Sequence, residues 1–436
     1  MAVHAEESWE QRLEHLRELA KTVPPITRNP ERMSGAPVMS ESGFKLSADF
    51  FHTLWSRLEE ERAKRDPSPR LFGRHSSRYS LPYPLDTLPS LDHLVSLVNT
   101  VFWASLKREE GRHLSFSVGY EKASSSSSQT FAFTPEGFTS EKLAKMAPAI
   151  GSPQSSALVT PDDNGNLVIW GLSRFWGTPF SIKVLDPGQL IVSFGMKNVA
   201  AISGSKAVVP IRYGSISSSI WSPFERHNEE DHSAWSDLLF NQVLEVVRAV
   251  RRLGHGGALI IVPDGEGWRE LVDKPIPYQP SGRYSPVKET LTALQELTKD
   301  DSPRSDDRSY YWRMLDEAIT SIAQLTAVDG AVVITPDLDV LGFGVKLKAV
   351  VEPPECTEIV CIDPLDQTDS LTPVRLGEEF RGTRHQSAAR FVFCHKQAVA
   401  IVVSQDRNVT AFVWERNERF PKGRLVAHRR LELTLF

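Results

Sequence analysis

The stretch DGAVVITPDLDVLGFGV, residues 329–345, decides the fold. The β-branched run from Val332 to Thr335 stops at Pro336-Asp337, a turn signal, and a second run follows from Val340 to Gly344, so the stretch reads as strand, turn, strand. Immediately upstream, Met314, Ala318, Ile322 and Leu325 recur at helical spacing and give residues 310–328 one apolar face. Asp329-Gly330-Ala331 is therefore the junction of a helix and a strand. Gly330 lets the backbone bend and approach a ligand closely. A carboxylate fixed there, Asp329, can bind a divalent cation and lie near an attacking hydroxyl.

Downstream, Gly382-Thr383-Arg384-His385 precedes residues 386–392, which read as a helix. Thr383 is a favourable N-cap, and the first-turn amides are a ready anion site. Arg384 can fork onto phosphate oxygens, and His385 can donate a hydrogen bond or a proton to a departing pyrophosphate. Ser404-Gln405-Asp406 then ends the apolar run 398–403, with another strand at 409–414. Asp406 is the right chemical type for a second metal ligand facing Asp329, because Mg²⁺ and Mn²⁺ prefer oxygen donors. Alone, each motif also has a plain structural explanation: a turn, a capped helix with surface Arg and His, and a hairpin.

Upstream, residues 8–20 place Trp9, Leu13, Leu16 and Ala20 on one face of an amphipathic helix, and a second helical pattern covers 50–63. Residues 65–89, rich in Pro, Ser and Arg, read as a linker or surface arm. From Leu91 to about Pro263 short apolar runs recur at 114–118, 130–133, 157–159, 167–170, 190–194 and 199–202, a strand-rich pattern in which Ser124 to Ser128 form a hairpin tip. Leu239, Val243, Val246, Val250 and Leu253 mark a strong helix with Arg248, Arg251 and Arg252 at its negative end. Gly254-His255-Gly256-Gly257 follows, and because it lies after a helix and before a strand it reads as a C-cap and tight turn rather than a phosphate loop; His255 is a ligand candidate. The domains expected are 1–90, 91–265 and 307–436, joined by a linker at 266–306 that carries a helical patch near 287–297. One internal echo stands out: residues 157–162 and 167–171 repeat the strand, Pro-Asp turn, strand, Gly order of 332–337 and 340–344.

Composition agrees with a globular protein of two or three domains: 436 residues, 40% hydrophobic and 24% charged. A net charge of −5 gives no broad basic surface, so nucleic acid is not an expected partner. The N-terminal residues lack the apolar core of a signal peptide and no run reaches the ~20 apolar residues of a membrane span, so a cytoplasmic location without membrane association is expected. Cys356, Cys361 and Cys394 are odd in number and lack CxxC spacing, as reduced thiols would be.

The motifs at 329–331, 382–385 and 404–406 resemble those of the diadenylate cyclase domain, Asp-Gly-Ala, Gly-Thr-Arg-His-Arg and a Ser followed by acids; the resemblance covers residues 310–416, 107 of 436. It implies that two domains, each holding one ATP, meet face to face as a homodimer or higher homo-oligomer to make cyclic di-AMP with Mg²⁺ or Mn²⁺. Catalytic roles are implied for Asp329, Gly330, Ala331, Arg384 and His385, and metal ligation for Asp329 and Asp406. ATP contacts are implied for Leu341, Gly342, Gly344, Gly382, Thr383, Arg384, His385, Gln386 and Ser404. The middle region, including Gly-His-Gly-Gly-Ala, resembles the DACNV sensor module joined to such cyclases. The fold class expected is α/β (α+β): a C-terminal mixed sheet flanked by helices, after a strand-rich sensor-like domain and N-terminal helices. Three departures are visible: Gln386 for the final Arg, Gln405 for an acid, and an apparent insertion at 352–379 that reads as a flap or long loop. Gln386 favours the alternative of a nucleotide-binding module that does not turn its ligand over.

Overall fold

The computed structural model describes residues 46–64, 88–121, 130–151, 155–174, 179–195, 197–209, 220, 232–263, 267–299, 305–348, 358–366 and 371–435. The helix expected at 8–20, nearly all of the arm at 65–89, the serines 124–128 and Cys356 lie outside these residues. The chain divides into two compact units, Met1–Ile211 and Arg212–Phe436, and each is built on a mixed eight-stranded sheet with helices, an α/β architecture as expected. Among the described residues no helix is long and apolar enough to cross a membrane.

In the first unit α1 (Ala48–Ala63) and α2 (Leu91–Ser105) start at Ser47 and Ser90, whose side chains accept from the amides of Phe50 and His93. A short hairpin, β1 (Arg108–Glu109) and β2 (Arg112–His113), precedes β3 (Phe116–Tyr120) and β4 (Thr130–Gly137). Then come α3 (Ser140–Met146), capped by Thr139, and six further strands: β5 (Ser155–Pro161), β6 (Leu167–Arg174), β7 (Phe180–Asp186), β8 (Gln189–Phe194), β9 (Lys197–Ser203) and β10 (Lys206–Val208). The sheet order is β10-β9-β8-β7-β3-β5-β6-β4, with β3 and β5 parallel and the remaining pairs antiparallel. Leu54, Leu58, Leu97, Val101 and Phe102 of the helices meet Val118, Ile182 and Val192 of the sheet in one buried core.

The second unit begins with α4 (His232–Leu253) and the central strand β11 (Gly257–Ile261). Next come α5 (Pro286–Lys299), α6 (Ser305–Leu325), β12 (Ala331–Ile334), β13 (Val340–Val345), β14 (Glu358–Ile362) and β15 (Pro373–Arg375). The unit closes with α7 (Leu376–Glu379), α8 (Thr383–Cys394), β16 (Val399–Val403), β17 (Val409–Glu415), β18 (Arg424–His428) and α9 (Glu432–Leu435). Its sheet order is β13-β12-β11-β16-β17-β18-β14-β15. Alternate residues of β11 point to opposite faces: Leu259 and Ile261 pack with α4 and α6, while Ala258 and Ile260 pack with Ala388, Ala389 and Val392 of α8. Burial on both faces explains why these strands are continuous apolar runs.

Three expectations change here. The helix at 239–253 and the strand at 258–262 belong to the second sheet, because β11 pairs in parallel with β12 (Leu259↔Val332) and antiparallel with β16 (Gly257↔Val403). Residues 266–306 are more than a linker: the helical patch expected near 287–297 is α5, which packs on α6, Trp268 is buried, and Tyr278 bridges to Phe343 of β13. Nor is 352–379 only a loop, since β14 extends the sheet beside β18 and carries β15 with it.

The internal echo sits in a shared plan. Reading β6-β5-β3-β7-β8-β9 against β13-β12-β11-β16-β17-β18 gives the same neighbours, the same relative directions and the same chain order. A helix precedes each central strand, α2 packing on β7 and β8, and α4 on β16.

Candidate functional site

Strand register gathers the motifs at one end of the second sheet. Gly257↔Val403, Leu259↔Val332, Ala331↔Val345 and Val403↔Val409 set the starts of β11, β12 and β17 beside the ends of β13 and β16. Asp329-Gly330, the Gly254 to Gly257 turn, Gly344 and the loop 404–408 therefore share that end.

Glycine makes the close approaches possible. Gly330 has φ +120°, and a Cβ there would lie 2.5 Å from the carbonyl carbon of Gly344, so β12 and β13 touch backbone to backbone beneath Asp329. A Cβ on Gly257 would lie 2.6 Å from Cβ of Thr326, which is buried with its hydroxyl donating to the Ala323 carbonyl at 2.6 Å; the end of α6 thus leans directly on β11. Gly256, at φ +69°, has Arg384 Nη1 at 3.1 Å from its Cβ position, the Gln405 amide nitrogen at 3.1 Å and the Val403 carbonyl at 2.9 Å. Arg384 of α8 and the 404–408 loop thus meet at the turn before β11.

The 404–408 loop is internally braced. Ser404 Oγ accepts from the Asn408 amide at 3.2 Å, Arg407 N–H donates to the Ser404 carbonyl at 3.0 Å, and Arg251 Nε donates to the Arg407 carbonyl at 2.8 Å. Ser404 serves the turn, while Gln405 and Asp406 are exposed. Asp329 is exposed as well. Among the described residues no group of three or more His, Cys, Asp or Glu is arranged to hold a metal.

Helix α8 departs from expectation at three positions. Its N-cap is Gly382, with no side-chain cap, and Thr383 is the first helical residue, so the first-turn amides have no side-chain acceptor. The His385 ring stacks on Phe380 at 5.4 Å and meets the edge of Phe412, in mid-strand, at 6.2 Å. Burial, then the charges of Arg384 and Arg429, push its pKa down to about 4, so the ring is neutral at pH 7 and acts as a hydrogen-bond donor rather than a store of a proton. Gln386 Nε2 donates to the Phe380 carbonyl at 2.8 Å, which makes this side chain a brace between α8 and the preceding loop. Arg429 sits over Phe380 at 5.8 Å, pairs with Glu379, and holds this stack from the other side.

Gly342 and Gly344 admit a protein segment rather than bare solvent. A Cβ on Gly342 would lie 3.1 Å from Ile276, and one on Gly344 3.0 Å from the Tyr278 ring, which stacks on Phe343 at 4.6 Å and is 51% exposed. Leu341 is half-buried on the α8 face. Sequence reasoning missed Tyr278, Thr326 and the full role of the Gly254 to Gly257 turn. Its C-cap reading accounts for Gly254, at φ +76° directly after α4, but not for the Arg384 contact two residues later. Cys361 and Cys394 are free thiols, and burial beside Glu379 pushes Cys361 up to about 12.

A family model described as a probable sensor domain, DACNV, matches residues 83–174, 92 of the 436. The match lies within the first unit and takes in α2, α3 and β1 to β6. DACNV domains are found in diadenylate cyclase proteins. The Gly-His-Gly-Gly-Ala run, which seemed part of that module, lies outside the match and in the second unit. No curated protein matches the chain.

Proposed function

We propose that the chain is a diadenylate cyclase in which the second unit condenses two ATP into cyclic di-AMP and two pyrophosphates, governed by the DACNV-type first unit. The observation that carries this reading is the meeting of Asp329-Gly330, the Gly256 turn, Arg384 and residues 404–406 at one sheet end. In each half-reaction a 3′-oxygen forms a bond to the α-phosphorus of the other ATP, the bond to pyrophosphate breaks with its electrons leaving on pyrophosphate, and the hydroxyl proton passes to water. Arg384 binds the triphosphate and neutralises charge on the leaving group. Neutral His385 orients by hydrogen bonding. Asp329 and Asp406 suit an Mg²⁺ or Mn²⁺ ion shared with phosphate oxygens, since such ions commonly take one or two carboxylates plus substrate phosphates. That ion would supply positive charge for the triphosphate. Because each half-site holds one ATP, activity requires a homodimer or larger assembly and rises more steeply than linearly with protein concentration near the dissociation constant. ATP as substrate implies a cytoplasmic location.

The test is to incubate the purified protein with ATP and Mn²⁺ and resolve the products. Cyclic di-AMP with pyrophosphate is expected; bound ATP with no product at any protein concentration would defeat the reading. Gln386, committed to the Phe380 carbonyl, supports the second reading of a binder without turnover. Gln386→Arg separates them: a weak enzyme gains rate, a binder changes only its affinity.

A further inference from the structure

We propose that the turn Gly254-His255-Gly256 is a second phosphate-binding element, which with Arg407 supplies the contacts that Gln386 does not. This rests on the nucleotide reading of the same sheet end and extends it to residues outside the three motifs. Gly254 and Gly256 both have positive φ, +76° and +69°, and bracket His255. The missing Cβ atoms leave room for two guanidinium groups against the backbone: Arg407 Nη2 lies 3.9 Å from the Cβ position of Gly254, and Arg384 Nη1 lies 3.1 Å from that of Gly256. The two arginines come from a hairpin loop and a helix, so the turn is flanked by positive charge from separate elements. Arg251 fixes the Arg407 backbone through its bond to the carbonyl.

His255 lies between them with half of its hydrogen bonding complete. Its Nδ1 is 2.6 Å from the Gly256 carbonyl, which can only accept, so Nδ1 carries the hydrogen. Nε2 is buried and has no partner among the described residues. A buried polar atom of this kind costs about 1 to 3 kcal/mol unless a ligand or water completes it. Two guanidiniums at the turn that carries this unpartnered nitrogen suit a polyphosphate, whose oxygens accept from the arginines and are linked to Nε2, an acceptor in this tautomer, by a water that donates to both. The chemical class is a pyrophosphate or triphosphate group, whether part of ATP or free.

The experiment is calorimetry of the full chain with inorganic tripolyphosphate and separately with ATP, on wild type, His255→Ala, Arg407→Ala and Arg407→Lys, with melting curves as the check on folding. His255→Ala and Arg407→Ala are expected to bind both ligands at least about tenfold more weakly, with Arg407→Lys recovering most of the loss. Wild type that fails to bind tripolyphosphate, or folded alanine variants within twofold of wild type, overturns the inference even if cyclic di-AMP is formed. Binding with the expected losses but no cyclic di-AMP would sink the cyclase reading and leave this one standing. If His255→Ala fails to fold, Arg407→Ala against Arg407→Lys decides.

Discussion

The two sheets share six strands in the same order, yet they finish differently at corresponding ends. In the first unit β7 and β8 are joined by Pro187-Gly188 alone, Asp186 and Gln189 are buried, and the Gly188 amide donates to the buried Ser105 hydroxyl at 3.0 Å. In the second unit the matching strands, β16 and β17, are joined by residues 404–408, with Gln405 and Asp406 exposed. Connections differ too. Between β6 and β7 lie five residues, 175–179, whereas between β13 and β16 lie 53, 346–398, which carry β14, β15, α7 and α8. One scaffold is therefore finished in two ways, and what separates them is a longer hairpin, a helix bearing Arg384, and glycines where backbone segments touch.

The largest effect that would sharpen this contrast is steric. Gly330→Ala combines φ +120° with a Cβ contact of 2.5 Å, and is expected to cost about 3 kcal/mol or more of second-unit stability and to abolish ATP binding. Gly165→Ala, in the open β5–β6 turn of the first unit, has φ +79° and nothing within 4 Å, so about 1 kcal/mol is expected. Denaturant unfolding measures both; equal losses would erase the distinction. Next, Arg384→Ala should weaken ATP binding roughly ten- to a hundredfold, from about 1.5 to 3 kcal/mol for a charge-assisted bond. Lys197→Ala, which removes the 2.7 Å pair with Glu61 in the first unit, should leave that affinity unchanged.

The units should also differ in acid. His385 has a folded pKa of about 4 against an ordinary 6.5, so the unfolded chain binds a proton that the folded one refuses. Its contribution is full above pH 6.5 and is lost progressively as pH falls towards 4, and His385→Phe should flatten that loss in pH-dependent melting. Glu61, held below its ordinary 4.5 mainly by its hydrogen bond to Lys197, keeps its contribution above 4.5 and loses it only at lower pH. A first unit that weakens already at pH 6 would break the comparison. The smallest effect is Gln386→Arg, which loses the Phe380 bond at a cost of about 1 kcal/mol and should raise turnover several-fold. Unchanged turnover with altered ATP affinity favours the binder.

What the sequence made legible was local. Periodicity located α6 and α1, and β-branched runs located β12, β13 and β16 to within a few residues. The Gly254 to Gly257 run was legible as a C-cap and turn with His255 a ligand candidate, but its contact with Arg384 was not, because that comes from β11 pairing with β16, whose residues lie over 140 positions away. For the same reason Gln386 looked like a lost charge, when its amide has a new partner in Phe380, and Thr383 looked like a cap that Gly382 turned out to be. Long-range pairing and backbone approach leave no local pattern to read.

The most direct measurement is photocrosslinking of the full chain with 8-azido-ATP, followed by peptide mapping. Labelled peptides are expected from the segments around residues 254–263, 276–285, 329–345, 382–390 and 403–409, with loss of label on adding excess ATP. Competed label confined to residues 91–208, or none at all, would contradict the assignment of the nucleotide to the end of the second sheet.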